Sequence, residues 1–260
     1  MALAASADQR TSVWRQLLWP FLFTLVSGAI LVSLGAWQLH RLAWKEGLLA
    51  QIAARADAPV VAPPDVADWP KLKPIDYDYR HVTLVGRFVY DDTVLVFTPA
   101  GPQEVGPGYL FLTPLRLASG AYVIVNRGFV PAALAAKLRH QTNAPGETHF
   151  TGLMRPPQGR NAFTPPDHPD KGTYFTRDPA VIAGYFHLSP MAPFTVDVDA
   201  VPGATGWPRG GTTERDLPNN HFNYALTWFG LAVGLLGVFV SFVFRKFAEA
   251  RGGWPGPQQD

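Results

Sequence analysis

The sequence predicts an α+β membrane protein. Two transmembrane helices, one N-terminal and one C-terminal, flank a mostly antiparallel, β-barrel-like extracytoplasmic domain with short helices. Three observations carry this prediction. Residues 17–39 and 225–244 hold no charged side chain, and each run matches the ~20 residues a helix needs to cross hydrocarbon. Between them the apolar pattern breaks into strand-length runs separated by Gly, Pro and Asn. Only 16% of the 260 residues are charged, where about a quarter is usual for a soluble protein. The chain therefore divides into a cytoplasmic tail (1–16), a first span (17–39) and a juxtamembrane helix with a Pro-rich linker (40–78). The β-rich domain (79–217), a second span with a capped outer end (218–244) and a second cytoplasmic tail (245–260) follow.

The first span carries Trp14, Trp19 and Trp37 where interfacial rings belong. Pro20 is expected in its first turn, where a missing N–H costs nothing. A cleaved signal peptide is the competing reading, since Ser33 and Gly35 are small residues two apart. The apolar run is longer than the ~7–15 residues of a signal core, which favours the span. Arg10, Arg15, Arg245, Lys246 and Arg251 place both termini on the cytoplasmic side, with Arg41 and Lys45 counting against. A cell inner membrane protein with its central domain outside the cytoplasm is the expectation.

Beyond the first span, a continuing helix puts Trp37, Arg41 and Trp44 on one face. Arg41 either stacks on indole or snorkels to the lipid surface, and snorkelling is the plainer reading. The helix should end near Ala58-Pro59, ahead of Pro63, Pro64, Pro70 and Pro74.

In the β-rich domain, strands are expected over 81–89, 93–97, 109–115, 121–126, 148–154 and 193–198. The near-continuous apolar character of 109–115 and 121–126, joined by a turn at Ser119-Gly120, implies burial on both faces. Residues 101–108 read as a Gly/Pro loop. Short helices are expected over 131–139 and from 178 to 183, the second with an Asp178 cap and Pro179 in its first position.

Several chemistries are excluded. There is no Cys, so no disulfide, thiolate nucleophile, Cys-based zinc site, iron–sulfur cluster or covalent c-type haem. Three Met are too few for a copper(I) carrier. A net charge of +2 gives no field for nucleic acid. No Gly-rich phosphate loop, His-x-x-x-His pair or Gly-x-Ser-x-Gly elbow is present, and no nucleophile–base set supports an anchored hydrolase. The chain is thus not expected to be an enzyme. His149, His168 and His187 are scattered, and Asp76, Asp78, Asp91 and Asp92 read as solvated loop carboxylates.

Two places stand out. Arg127, in Val125-Asn126-Arg127-Gly128-Phe129-Val130-Pro131, sits at the end of a buried-looking strand beside a Gly that permits an αL bend. It either pairs with a fold carboxylate, Asp178 being a candidate, or grips an anionic ligand. The structural role is expected. The second place is the mouth of the C-terminal span. Pro218 is tolerated in a first helical turn, Asn219 or Asn220 can cap it, and His221, Tyr224 and Trp228 follow at i, i+3 and i+7 on one face. An imidazole at a lipid boundary is a functional hypothesis by default. An aromatic belt with a solvated His fits the same pattern.

Four blocks in order carry a family resemblance. Leu34-Gly35-Ala36-Trp37-Gln38 with Arg41 and Trp44-Lys45 is the first; Thr113-Pro114-Leu115 with residues 125–131 is the second. Phe163-Thr164-Pro165 with Arg177-Asp178 is the third, and Asn219-Asn220-His221 with Tyr224, Thr227 and Trp228 the fourth. In these the chain resembles the Surfeit locus protein one (Surf-one) family of cytochrome c oxidase assembly factors. One departure is local: many relatives have Trp just before the Arg-Asp pair, where this chain has Tyr174-Phe175-Thr176. The resemblance implies a chaperone of respiratory-chain biogenesis that helps haem a enter the oxidase catalytic subunit. It implies haem iron on His221; the residues themselves add that Tyr224 and Trp228, on the same face, could line the macrocycle. The oxidase catalytic subunit and membrane lipid are the expected partners, with the haem a synthase a further candidate. His40, at the matching end of the first span, is not required by the family pattern. The alternative is a scaffold that never carries haem, using Gly28, Gly35, Gly230, Gly234 and Gly237 for close helix approach.

Overall fold

The computed structural model describes residues 2–99, 101, 105–139, 146–213 and 218–250, with side chains described from Trp14 onward to Glu249. Expectations that fall on Leu217, Arg251, the side chain of Arg10 and part of the 101–108 loop lie outside the described residues. The chain forms two compact units, residues 50–215 and a helical unit from the two ends.

In the helical unit, helix α1 (Ala2–Ala56) carries the first apolar run and helix α5 (His221–Ala250) the second. Both are long and apolar enough to cross a membrane, and their most apolar windows are only 6% and 0% buried. A core helix of a soluble protein would be mostly covered, so these faces are built for lipid or for other helices. Pro20 does not sit in a first turn, because α1 already extends well before it. It is an interior proline whose missing N–H removes one ladder bond. The helices meet through Trp14 edge-on to Phe247 at 5.9 Å, through Phe21 beside Phe239 at 6.1 Å, and at Gly35. A Cβ on Gly35 would stand 2.7 Å from the Phe229 ring, so that crossing needs glycine. Gly28, Gly230, Gly234 and Gly237 have nothing within 4 Å of where a Cβ would be.

The barrel unit has seven strands: β1 (His81–Phe88), β2 (Val94–Thr98), β3 (Gly108–Arg116), β4 (Tyr122–Pro131), β5 (Thr148–Arg155), β6 (Thr173–Tyr174) and β7 (Met191–Val198). They run in the order β1-β5-β7-β4-β3-β2-β6, and β1 also pairs with β3 at Arg87↔Arg116 and Phe88↔Leu115. That last pairing closes β1, β5, β7, β4 and β3 into a five-stranded barrel, with β2 and β6 extending from β3. Most pairs are antiparallel; β4–β7 and β2–β6 are parallel. Parallel pairing needs a crossover, and between β4 and β7 it contains helix α3 (Ala132–Arg139), β5, β6 and helix α4 (Pro179–Phe186).

Alternation along β4 explains its apolar run. Val123 and Val125 belong to one buried cluster with Val82, Leu84, Met154 and Phe194. Ile124 belongs to another with Leu112 and Ile182 of α4. A third cluster joins Phe111 and Val130 to Ala135 of α3. Both faces of β3–β4 are therefore covered, as the sequence predicts. Asp178 caps α4 by accepting a hydrogen bond from the Ala180 N–H at 2.9 Å.

The Pro-rich stretch before β1 packs into the barrel unit. Val61 bridges to Val82, and Trp69 and Tyr77 are buried around Phe194, with ring centroids 5.9 and 5.6 Å from it. Helix α2 (Pro74–Tyr77) delivers Tyr77, whose hydroxyl donates to the Pro193 carbonyl at 3.2 Å. Proline stiffness here positions two aromatic plugs.

Candidate functional site

Helix α5 starts at His221, so Pro218, Asn219 and Asn220 precede it and no proline occupies its first turn. The Asn220 carbonyl accepts the Tyr224 N–H at 3.2 Å, which makes Asn220 the boundary residue. Lys45 of α1 donates through Nζ to the Pro218 carbonyl, tying the lead-in of one helix to the other.

His221 is half-buried at this end of the helix pair, and its Nδ1 lies 2.7 Å from Oε1 of Gln38 on α1. The amide oxygen can only accept, so Nδ1 is the donor of this pair, and in the neutral ring the lone pair then lies on Nε2. A hydrogen bond to one ring nitrogen that fixes the tautomer of the other is how proteins prepare an imidazole for a metal. Sequence reasoning did not single out Gln38 as a partner. It stands in the first block of the resemblance, but the contact spans 183 positions. Tyr224 is 56% exposed and Trp228 half-buried on the same flank, while Ala225 is buried and Phe229 lies on Gly35. His40 is exposed on α1.

Among the described residues no three His, Cys, Asp or Glu gather to hold a free ion. A single oriented imidazole is enough for haem iron, whose equatorial positions are already filled by the porphyrin. Open aromatic side chains beside it suit a flat apolar ring. The helix pair also has an apolar groove of ≈ 510 Å³, but it is lined by Phe21, Leu25, Gly28, Leu236 and Phe239 and does not include His221.

In the barrel unit, β4 does not end at Arg127. Leu110 pairs with Phe129 and Leu112 with Asn126, so β4 has one extra residue there, a bulge. Gly128 has φ +124°, and a Cβ on it would stand 1.9 Å from the Arg209 carbonyl oxygen. Its role is to let the segment around Arg209 lie on β4, where Phe129 and Arg209 exchange backbone hydrogen bonds of 2.9 and 3.0 Å. Arg127 is not paired with Asp178, which is the α4 cap. The buried carboxylate nearby, Asp197, takes Arg177 at 3.1 Å, Asn126 at 3.0 Å and Thr213 at 2.7 Å. Asp78 is also not a free loop carboxylate. It is half-buried with Arg155 Nε at 3.2 Å, and burial pushes its carboxyl above the usual range despite that cation. His149 is a surface residue, as expected.

A two-helix membrane anchor bearing one oriented imidazole, joined in sequence to a five-stranded barrel, defines the class: an anchored barrel protein with a site on its helices. The chain belongs to the SURF1 family, whose model matches residues 25–233. It is similar to a SURF1-like protein of Monosiga brevicollis, 30% identical over 266 residues that cover 97% of each chain. It is also similar to Surfeit locus protein 1 of Mus musculus, 30% identical over 87% of this chain and 75% of that one. The Homo sapiens protein of the same name is 30% identical over 86% and 75%.

Proposed function

We propose that the protein is an assembly factor for a haem–copper cytochrome c oxidase, and that it delivers haem a to the catalytic subunit or helps insert it there. The observation that carries this reading is the His221–Gln38 pair at the end of two otherwise apolar helices. His221 would hold the iron of haem a through Nε2, and the bound haem would be the cargo to be handed on. Gln38 holds the ring, while Tyr224 and Trp228 offer faces for the macrocycle. The exposure of Tyr224 suits a group in transit, since a receiving subunit could approach it there. The protein acts as a chaperone and not as an enzyme. Its surroundings are the cell inner membrane, with both termini cytoplasmic and the barrel outside. Its partners are the oxidase catalytic subunit, the haem a synthase as donor, and lipid.

The exposed helix faces favour a second reading, a scaffold that holds oxidase intermediates and carries no haem. Gly230 and Gly234 lie on an open α5 surface where another helix backbone can come close. One experiment separates the two. Protein purified in detergent from cells making haem a should show a haem a absorption spectrum that the His221→Ala variant loses. Oxidase subunits co-purifying with no haem in the wild type would leave only the scaffold.

A further inference from the structure

We infer that the barrel unit holds a second binding site, for an organic anion whose carboxylate or phosphate meets Arg127 and Arg209 and whose apolar body fills the cavity beside them. The cavity is ≈ 620 Å³, and its lining includes both arginines with Phe88, Phe150, Val198 and Trp207. Nothing in the preceding proposal uses it.

The arginines are held in a particular way. The Arg127 guanidinium lies 4.8 Å from the Tyr90 ring centroid and 5.7 Å from that of Phe88, and Arg209 lies 4.2 Å from Trp207. Stacking occupies the flat faces of a guanidinium and leaves its in-plane N–H edge free, the geometry that takes a carboxylate or phosphate in two parallel bonds. Among the described residues, no carboxylate pairs with either side chain, and Arg209 Nε is buried without a hydrogen-bond partner. Burial pushes the Arg127 guanidinium below its usual range, with only the nearby Tyr90 acting against it. Asp199 also lines the cavity, but its carboxylate is taken by His81 at 2.6 Å and by Thr151. By contrast Arg177 has a carboxylate partner, its Nη1 donating to both oxygens of Asp197 at 3.2 and 3.1 Å.

The backbone is shaped to make this cavity. The bulge at Arg127 re-aims its side chain, and the bare Cα of Gly128 lets the Arg209 segment dock on β4. Phe129, in turn, packs edge-on to Trp207 at 5.8 Å. Asn126 Oδ1 accepts the Gly128 N–H at 3.0 Å and fixes the turn of the bulge. Two unmatched cations, each braced by aromatic rings, beside apolar walls specify an anion on an apolar body. The carboxylates of a porphyrin and the phosphate of a lipid both have that chemistry.

The test uses the full chain in lipid nanodiscs with metal-free protoporphyrin IX, its dimethyl ester, and dioctanoyl phosphatidic acid. Without iron, His221 has nothing to ligate, so the result is separable from the fate of the haem reading. Binding of at least one of the acids is expected, with Arg127→Gln and Arg209→Gln each weakening it about tenfold or more. Arg127→Lys, which keeps the charge and loses the fork, should fall between, and thermal melts confirm that the variants fold. Loss of binding on esterification marks a porphyrin-type carboxylate; binding of the phosphatidic acid alone marks a lipid phosphate. Equal binding of both acids by the wild type and the double Gln variant, or no binding by the wild type, overturns the proposal.

Discussion

The helix pair and the barrel solve the same problem, a polar group inside an apolar setting, in opposite ways. In the barrel Asp197 is 2% exposed and is met by Asn126 of β4, by Arg177 just before α4, and by Thr213. In the helix pair His221 has one partner, Gln38, and one ring nitrogen left over. A buried carboxylate tolerates nothing less than full matching, because an uncompensated charge in low dielectric is costly. A neutral imidazole costs far less to leave half-matched, and the unmatched half is what can bind. At Asp197 the barrel meets its charge from within, whereas the helices expose surface that something else must cover.

That contrast can be broken at its strongest point first. Asp197→Ala strands the Arg177 charge and should remove about 3–5 kcal/mol of barrel stability in urea unfolding, with haem a occupancy per folded molecule unchanged. Gln38→Ala should do the reverse. Haem a affinity is expected to fall about 10–100-fold, with the urea midpoint of the barrel unmoved and with partial rescue by Gln38→Glu, which still accepts from Nδ1. Gly35→Val forces the Phe229 ring away and should cost the helix pair about 1–3 kcal/mol. The absence of native Cys allows a clean readout, since the crosslinking yield of a Phe21→Cys/Phe239→Cys pair should drop in that background.

The smallest effect is a pH dependence in the barrel. The native Asp78 pKa is raised, so this group contributes stability that is fully present below its unfolded pKa and is lost as pH rises through its native pKa. Asp78→Asn removes that dependence. Its stability relative to wild type should therefore rise between about pH 4 and pH 7, measured by thermal melts across that range. A relative stability that falls over that range would show that the Arg155 contact outweighs burial.

Much of this architecture was legible in order along the chain. The apolar lengths of the spans, the strand-length runs, the Asp178-Pro179 helix start and the two-sided burial of β3 and β4 depend on periodicity and local capping, which neighbours in sequence express. The end of α1 just before Pro59 was readable for the same reason. Pro20 misled because the apolar run and the helix were taken to begin together, whereas α1 starts at Ala2. Arg127 misled in another way. The bulge that carries the strand past it depends on what β3 offers opposite, and the missing carboxylate partner depends on where Asp178 and Asp197 are already engaged.

The sequence by itself determined the membrane runs, most of the strands, the lack of cysteine ligands and the candidacy of His221, since all of these follow from residue type and spacing. Only the tertiary structure decided that Gln38 meets Nδ1 of that histidine, that β1 meets β3 to close the barrel, and that Arg127 and Arg209 line one cavity with no carboxylate partner among the described residues. Each of these joins residues far apart in the chain. Hydrogen bonding, closure and charge matching are properties of pairs, and a pair exists only once folding has brought its members together.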